Sequence, residues 1–305
     1  MSQIFGPVPS RRLGMSLGID IIPFKTCTLD CIYCQLGRTT NKTIERKKYT
    51  TSDEIFRELE KVLGEGERID YITFSGSGEP TLNPEIGKMI TGIKEMTSIP
   101  VAVLTNGTLL YQPRVEADLL EADLVIPSLD GASEEVFRRV NRPHSSLTIS
   151  EVIRGIKTFS RNFKGKIWLE IMLVKGMNDS EKSINEIKKV IREIKLDKIQ
   201  LNTVVRPPAE ESAGALGWQD LERIRSILGK RCEIIAELKK LERRAYKGDI
   251  EEAILTMVRR RPLTLAEISS SLGLHQNEVI KYIGLLEREG QIKKRIHQEK
   301  RYYIK

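Results

Sequence analysis

Three of the four cysteines in this 305-residue chain lie within eight residues of one another, as Cys27-Thr-Leu-Asp-Cys31-Ile-Tyr-Cys34, while Cys232 stands alone. Thiols grouped this way suit metal binding in a reducing compartment better than a disulfide framework. A closed zinc site asks for four ligands, commonly as two separated pairs, and only Cys232 or a distant His144, His275 or His297 could complete one here. Inert buried thiols are the plainest alternative. Three thiolates from one loop can instead ligate three irons of a cubane and leave its fourth iron without a protein ligand.

Other polar groups sit at the ends of apolar runs. Phe74-Ser-Gly76-Ser-Gly78-Glu79-Pro80 puts two glycines and a carboxylate in one turn, where backbone could closely approach a ligand, although a turn alone would also account for it. Asn106 in Thr105-Asn106-Gly107, and Ser128 and Asp130 in Ser128-Leu-Asp130-Gly131, could contact a ligand or cap the helix that follows. Glu170 lies among apolar neighbours and needs an Arg or sugar hydroxyls as partner, because an unpaired buried carboxylate is costly.

Positioning these groups requires a regular scaffold. Residues 1–228 alternate short apolar runs with amphipathic stretches, the pattern of successive βα units around a parallel sheet. Six strands are expected, at Leu17-Ile22, Tyr71-Ser75, Val101-Thr105, Leu124-Ser128, Ile167-Leu173 and Lys198-Thr203. Helices are expected at Ser52-Leu63, Pro84-Glu95, Glu134-Val140, Ser150-Phe159 and Glu181-Lys195. The fold class is thus α/β, and six strands that curl without closing would gather every βα loop on one rim, where the polar groups above fall.

Across 229–247 the βα rhythm is expected to give way to a helical linker, including the charged stretch Glu237-Arg244, with a boundary at Gly248. In residues 248–305, helices around Ile250-Val258, Leu263-Leu272 and Asn277-Glu289 precede a ribbon of Gln291-Ile296 and Arg301-Ile304, the plan of a winged helix-turn-helix. Hydrophobic residues make up 40% and charged residues 30%, which fits a globular rather than a disordered chain. Met1 to Arg12 has no apolar core of signal-peptide length and no later run approaches the roughly 20 apolar residues of a membrane span, so a cytoplasmic protein with no membrane partner is expected.

The cysteine run resembles the signature of the radical S-adenosylmethionine (SAM) superfamily, and it follows the first strand, where that family places it. The resemblance covers residues 15–210 and implies a partial (β/α)6 barrel. It implies that Cys27, Cys31 and Cys34 hold a [4Fe-4S] cluster whose open iron is chelated by SAM. An external low-potential donor would then supply the electron that yields a 5′-deoxyadenosyl radical and methionine. Gly76, Gly78 and Glu79 are similar to the family's GGEP element for the SAM amino group, with Ser77 inserted. Asn106, Ser128 and Asp130 would contact ribose and carboxylate. Val174-Lys-Gly176-Met-Asn178-Asp179 resembles the G-x-N-D turn of related activating enzymes, adding Glu170 and Asn178 to the SAM set. Asn202, at the end of strand six, and Tyr33, beside the third cysteine, would lie near adenine. No residue stands out as acid, base or radical relay.

Within the superfamily, Phe5-Gly-Pro-Val-Pro-Ser-Arg11-Arg12-Leu-Gly and Cys34-Gln-Leu-Gly-Arg38-Thr look like the branch of wyosine-forming tRNA enzymes. No cysteine precedes Cys27 to hold the second cluster of that branch, which argues against wyosine synthesis itself. The net charge is +8, and part of it lies in Arg38, Lys42, Arg46, Lys47 and Lys48 against Glu45 alone, a segment suited to polyphosphate or to simple solvation. Arg142 and His144 could extend that surface. Asn277 and Lys281 on the third C-terminal helix, with Lys293 and Arg295 on the ribbon, lie where such folds meet nucleic-acid grooves. The expected substrate is RNA, specifically tRNA. The alternatives are a polypeptide docked by the winged domain, or a DNA-binding regulator that uses the cluster as a sensor. A sensor needs no SAM pocket.

Overall fold

The computed structural model describes residues 3–236 and 249–305. Strands β1 (Ile4–Ser10) and β2 (Gly14–Ile19) form an antiparallel pair. The loop that follows holds two-residue strands β3 (Thr26–Cys27) and β4 (Asn41–Lys42), paired with each other. The chain then alternates through α1 (Ser52–Gly64), β5 (Tyr71–Phe74), α2 (Ile86–Met96), β6 (Val101–Thr105), α3 (Pro113–Leu119) and β7 (Leu124–Pro127). A single turn, α4 (Glu134–Val136), leads to α5 (Ile149–Asn162), β8 (Lys166–Leu173), α6 (Glu181–Ile191), β9 (Lys198–Thr203), α7 (Trp218–Leu228) and β10 (Cys232–Ile234).

The main sheet runs β1-β2-β5-β6-β7-β8-β9-β10, and every pair in it after β1·β2 is parallel. Each parallel strand is the neighbour of the next one in the chain, the arrangement that right-handed βα crossovers build. This is the α/β partial-barrel architecture. Leu17, Ile19, Ile72, Phe74, Val101, Val103 and Leu201 are fully buried in a core shared with the helices outside the sheet. Thr51 caps α1 through a reciprocal pair with Glu54, as the Thr-Ser-Asp-Glu run at its start anticipates.

Two strands depart from the six expected. β1 carries Pro7 and Pro9, which disguise it, yet an edge strand tolerates proline because its outward N–H groups need no ladder partner. β10 lies in the stretch expected to be linker: Cys232 pairs with Ile199 and Ile234 with Leu201, so the parallel sheet continues past residue 229. The expected helix Glu237-Arg244 and the boundary at Gly248 lie outside the described residues.

The C-terminal residues form α8 (Ile250–Arg260), α9 (Leu265–Leu272), α10 (Gln276–Arg288) and the ribbon β11 (Lys293–His297) and β12 (Lys300–Ile304). Their core of Ile254, Val258, Leu263, Ile268, Ile283 and Tyr303 also takes in Val8 of β1, with Phe5 packed at its edge. The ribbon turn is Gln298-Glu299, with φ of 47° and 61°. A left-handed pair of non-glycine residues costs roughly 1–2 kcal/mol per residue. This turn is held against the barrel: the Gln298 amide donates to the Val204 carbonyl at 3.0 Å, and the Tyr302 hydroxyl donates to Val205 O at 2.5 Å.

Candidate functional site

The cysteine loop leaves the C-terminal end of β2 and is pinned from the far side of the barrel. After α4 the backbone widens into a π-helical turn, Phe137–Asn141, where an uninterrupted helix to Val140 was expected. The wider turn frees carbonyls, and those of Val140 and Asn141 accept the Ile32 and Asp30 N–H groups, both at 3.0 Å. Cys34 N–H closes on Cys31 O at 3.0 Å, so a tight turn separates the last two thiols.

Cys27, Cys31 and Cys34 are reduced, part-exposed, and line one cavity of about 310 Å³. Burial pushes all three thiols up, Cys27 to about 12. Side-chain amides reach two of them: Asn106 Nδ2 lies 3.5 Å from Cys27 Sγ, and Asn141 Nδ2 lies 3.5 Å from Cys31 Sγ. Amide donors of this kind stabilise thiolate and cluster sulfur. Among the described residues no trio of His, Cys, Asp and Glu converges on a single-ion position. Thiols placed around a cavity fit a body with several irons better than one zinc ion.

The Phe74–Pro80 turn forms the neighbouring wall. A Cβ on Gly78 would stand 1.9 Å from the Thr26 carbonyl oxygen, so glycine lets the turn lie against the cysteine loop. The inserted Ser77 has its own role: its hydroxyl donates to Asp20 at 2.6 Å and its N–H at 3.1 Å. Glu79 is buried and receives the Thr81 and Thr105 hydroxyls at 2.6 Å each and the Asn106 N–H at 2.7 Å. Burial raises its carboxyl, against those hydrogen bonds. It ties the tips of β5 and β6 together. The Asn106 side chain is likewise engaged, with Thr28 at 2.7 Å and Thr108 at 2.7 Å.

Of the expected SAM residues, Tyr33, Gly76, Gly78, Glu79, Asn106, Ser128, Glu170 and Asn202 line this cavity. The Ser128 side chain makes no hydrogen bond among the described residues and is free for a ligand. Asp130 and Asn178 are not in the lining; both stand behind it. The Asp130 carboxylate accepts Tyr33 OH, Asn141 Nδ2 at 2.6 Å and Met172 N at 2.9 Å, and burial pushes it up to about 6 in spite of those bonds. Asn178 donates to the carbonyls of Asp130 and Met172, both at 2.8 Å, bracing the β8 tip. Their short side chains find buried backbone partners, which sequence position alone does not reveal.

Glu170 does have its Arg. Arg12, in the turn between β1 and β2, lies 3.0 Å from Glu170 Oε2, and Asn202 donates to Oε1 at 2.9 Å. Burial would raise this carboxyl, but Arg12, then Asn202 and Arg11, together more than offset it and hold the group below its ordinary value. Arg11 donates to Asn202 Oδ1 at 2.9 Å. Arg11, Arg12, Asp20 and Asn141 are thus site residues that sequence reasoning did not assign, although the Arg11-Arg12 pair stood within a quoted motif.

The basic surface is thinner than its sequence suggests. Arg46 is turned inward, ion-paired with Asp118 at 2.5 Å and bonded to Thr81 O at 2.8 Å, so it is not a phosphate contact. Arg38 and Arg142 share Glu210, at 2.6 and 2.7 Å, and Lys42 donates to Arg142 O at 3.1 Å. His144 bonds Ser146, and Lys47 is exposed. Asn277, Lys281 and Lys293 are exposed and Arg295 partly so, but the ribbon tip faces the barrel. No described helix is long and apolar enough to cross a membrane.

Residues 21–187 match the radical SAM superfamily. The UPF0026 protein of Methanocaldococcus jannaschii is 36% identical over 100% of this chain and 96% of its own length. GTPase Obg of Brachyspira hyodysenteriae is 40% identical over 96% of this chain, which spans only 44% of that protein. The dual-specificity RNA methyltransferase RlmN of Bdellovibrio bacteriovorus is 28% identical over 85% of this chain and 66% of that protein. Among solved structures, a radical SAM methyltransferase from Sphaerobacter thermophilus superposes with a TM-score of 0.57 at 17% identity, over 72% of this chain and 65% of its own. The anSMEcpe structure with bound AdoMet gives 0.53 at 20% identity, over 70% of this chain and 58% of its own.

Proposed function

This chain belongs to the radical SAM superfamily, whose enzymes use a [4Fe-4S] cluster and SAM, and on that premise we propose that it cleaves SAM reductively and directs the resulting radical to RNA, specifically tRNA. The observation that carries the first half is the meeting of three thiols, the glycine turn and the strand tips of β6 to β9 around one cavity. Cys27, Cys31 and Cys34 would hold the cluster, which when bound passes an electron from an external low-potential donor to the sulfonium of SAM. The backbone of Gly76–Glu79 would take the SAM amino group, and the free Ser128 hydroxyl would bind its ribose or carboxylate. Tyr33, fixed by Asp130, would keep the cysteine loop in register.

The RNA half is supported by the similarity to an RNA methyltransferase and by exposed Asn277, Lys281 and Lys293 on the C-terminal unit, which we read as a winged helix-turn-helix that docks the substrate. Exposed Ile280 and Ile296 on the same unit favour a second reading, a polypeptide partner. Anaerobic reconstitution followed by dithionite should release 5′-deoxyadenosine from SAM. Absence of that product from an iron-loaded protein would refute the enzyme reading. Crosslinking in cell extract, followed by nucleoside mass spectrometry of small RNAs from a deletion strain, separates RNA from polypeptide. An unchanged nucleoside profile with a crosslinked peptide would favour the second reading.

A further inference from the structure

A second cavity, of about 880 Å³, lies between the end of β9 and the C-terminal unit. Arg11, Thr203, Val205 and Arg206 line both it and the cluster cavity, so the two spaces meet across a single layer of side chains. Its far wall is formed by α9, the preceding Arg261 and the start of β12.

The lining is charged in one sense. Arg11, Arg206, Arg261, Lys300 and Arg301 contribute cations, and Glu267 is the one carboxylate among the described lining residues. Glu267 is engaged by Arg206 at 2.7 Å. Arg11 has a neutral partner, Asn202. The Arg261 guanidinium makes no hydrogen bond or ion pair among the described residues. Burial, and then the neighbouring Arg206, pull Arg11 and Arg261 down to about 9; Glu267 only partly offsets this at Arg261. Arg11 and Arg261 are half-buried while Lys300 and Arg301 are exposed, and guanidinium groups gathered in a partly buried cleft are stabilised by an anion. Guanidinium forks match the oxygens of phosphate in a way that lysine does not. The volume is within the roughly 300–1,000 Å³ range of small-ligand sites, enough for a nucleotide.

We propose that this cavity binds a phosphate-bearing nucleotide of the substrate, with Arg261 and Arg11 holding the phosphate and the nucleoside directed across the shared wall towards the cluster cavity. The inference deepens the RNA reading and rests on it for the polymer. The phosphate could equally come from a free mononucleotide, since the recognising chemistry is the same.

Binding of adenosine 5′-monophosphate and of an unmodified tRNA transcript to the reconstituted protein tests this, with Arg261→Gln and the cavity-blocking Ala266→Trp as variants. Both ligands should bind the wild type and weaken about tenfold or more in each variant, the loss expected when a charged hydrogen bond is removed. Arg261→Gln should melt no lower than wild type, because it removes a buried charge without breaking a protein hydrogen bond. Should that variant fail to fold, Ala266→Trp still decides the matter, since Ala266 is exposed on α9. If the mononucleotide binds through Arg261 while tRNA does not bind at all, the phosphate site stands and the RNA reading falls. If tRNA binds equally well to wild type and both variants, the cavity proposal is overturned and the RNA reading survives.

Discussion

Arg260 of α8 lies 3.4 Å from the carboxylate of Asp20, the same carboxylate that receives the Ser77 hydroxyl in the wall of the cluster cavity. One buried anion thus joins the C-terminal unit to the glycine turn. Arg260 also stacks over Phe5, 4.4 Å from the ring centroid. Arg260→Gln leaves Asp20 with its hydrogen bonds but without its countercharge, and breaking one side of such a pair costs about 3 kcal/mol. Urea unfolding measures this; a loss below about 1 kcal/mol would show that the contact is incidental.

Cys27→Ala, Cys31→Ala and Cys34→Ala should each lose bound iron and reduce SAM cleavage to background, read by iron analysis and 5′-deoxyadenosine release. Cys232 sits in β10 within the hydrophobic core, remote from the cavity lining. Cys232→Ala should keep the chromophore and cost about 1 kcal/mol of stability. Loss of metal in the Cys232 variant alone would revive a four-ligand zinc site.

Gly78 and Gly176 make a controlled pair. Alanine at Gly78 drives a methyl group into the Thr26 carbonyl, one residue before the first cluster cysteine, so Gly78→Ala should lose more than about 3 kcal/mol or fail to take up iron. Gly176 has φ of +73° but open space around it, so Gly176→Ala should cost only about 1 kcal/mol. Equal losses in thermal unfolding would mean that small shifts of the loop relieve the close approach at Gly78, which then does not govern the glycine turn.

The strand periodicity and the cysteine spacing were legible because each is a local pattern: five of the six expected strands begin within a residue of where they lie, and the three thiols do share a cavity. β1 was obscured by its prolines, and β10 is three residues long, too short for any period to register. Asp130 and Asn178 were misplaced from the cavity lining because the tip of a parallel strand offers buried backbone as readily as ligand. Arg12 and Glu170, at opposite ends of the motif set, are 158 residues apart, and nothing local announces their ion pair.

Acid should act through the joint between barrel and C-terminal unit. Burial raises the Glu267 carboxyl, but Arg206, then the Thr264 N–H and Arg261, more than offset this and hold it below its ordinary value. A folded-state value below the unfolded one gives stability that is complete above the unfolded carboxylate pKa, near about 4.3, and lost as pH falls through the lowered value. Urea unfolding at descending pH should therefore show a steeper decline for wild type below pH ~5 than for Glu267→Gln, which starts less stable at neutrality. Parallel declines would remove Glu267 from the account.

The sharing of Val8 between the first strand and the last helices carries a consequence for biosynthesis. At roughly 5–20 residues per second, the ribosome takes on the order of ten seconds or more to make the chain between them. Throughout that interval one flank of the nascent sheet is bare, an open edge of the kind that recruits other chains. Covering of the barrel's first strand is thus deferred until α8 and α9 have been made, and a nonsense mutation between β10 and α8 would leave that flank uncovered.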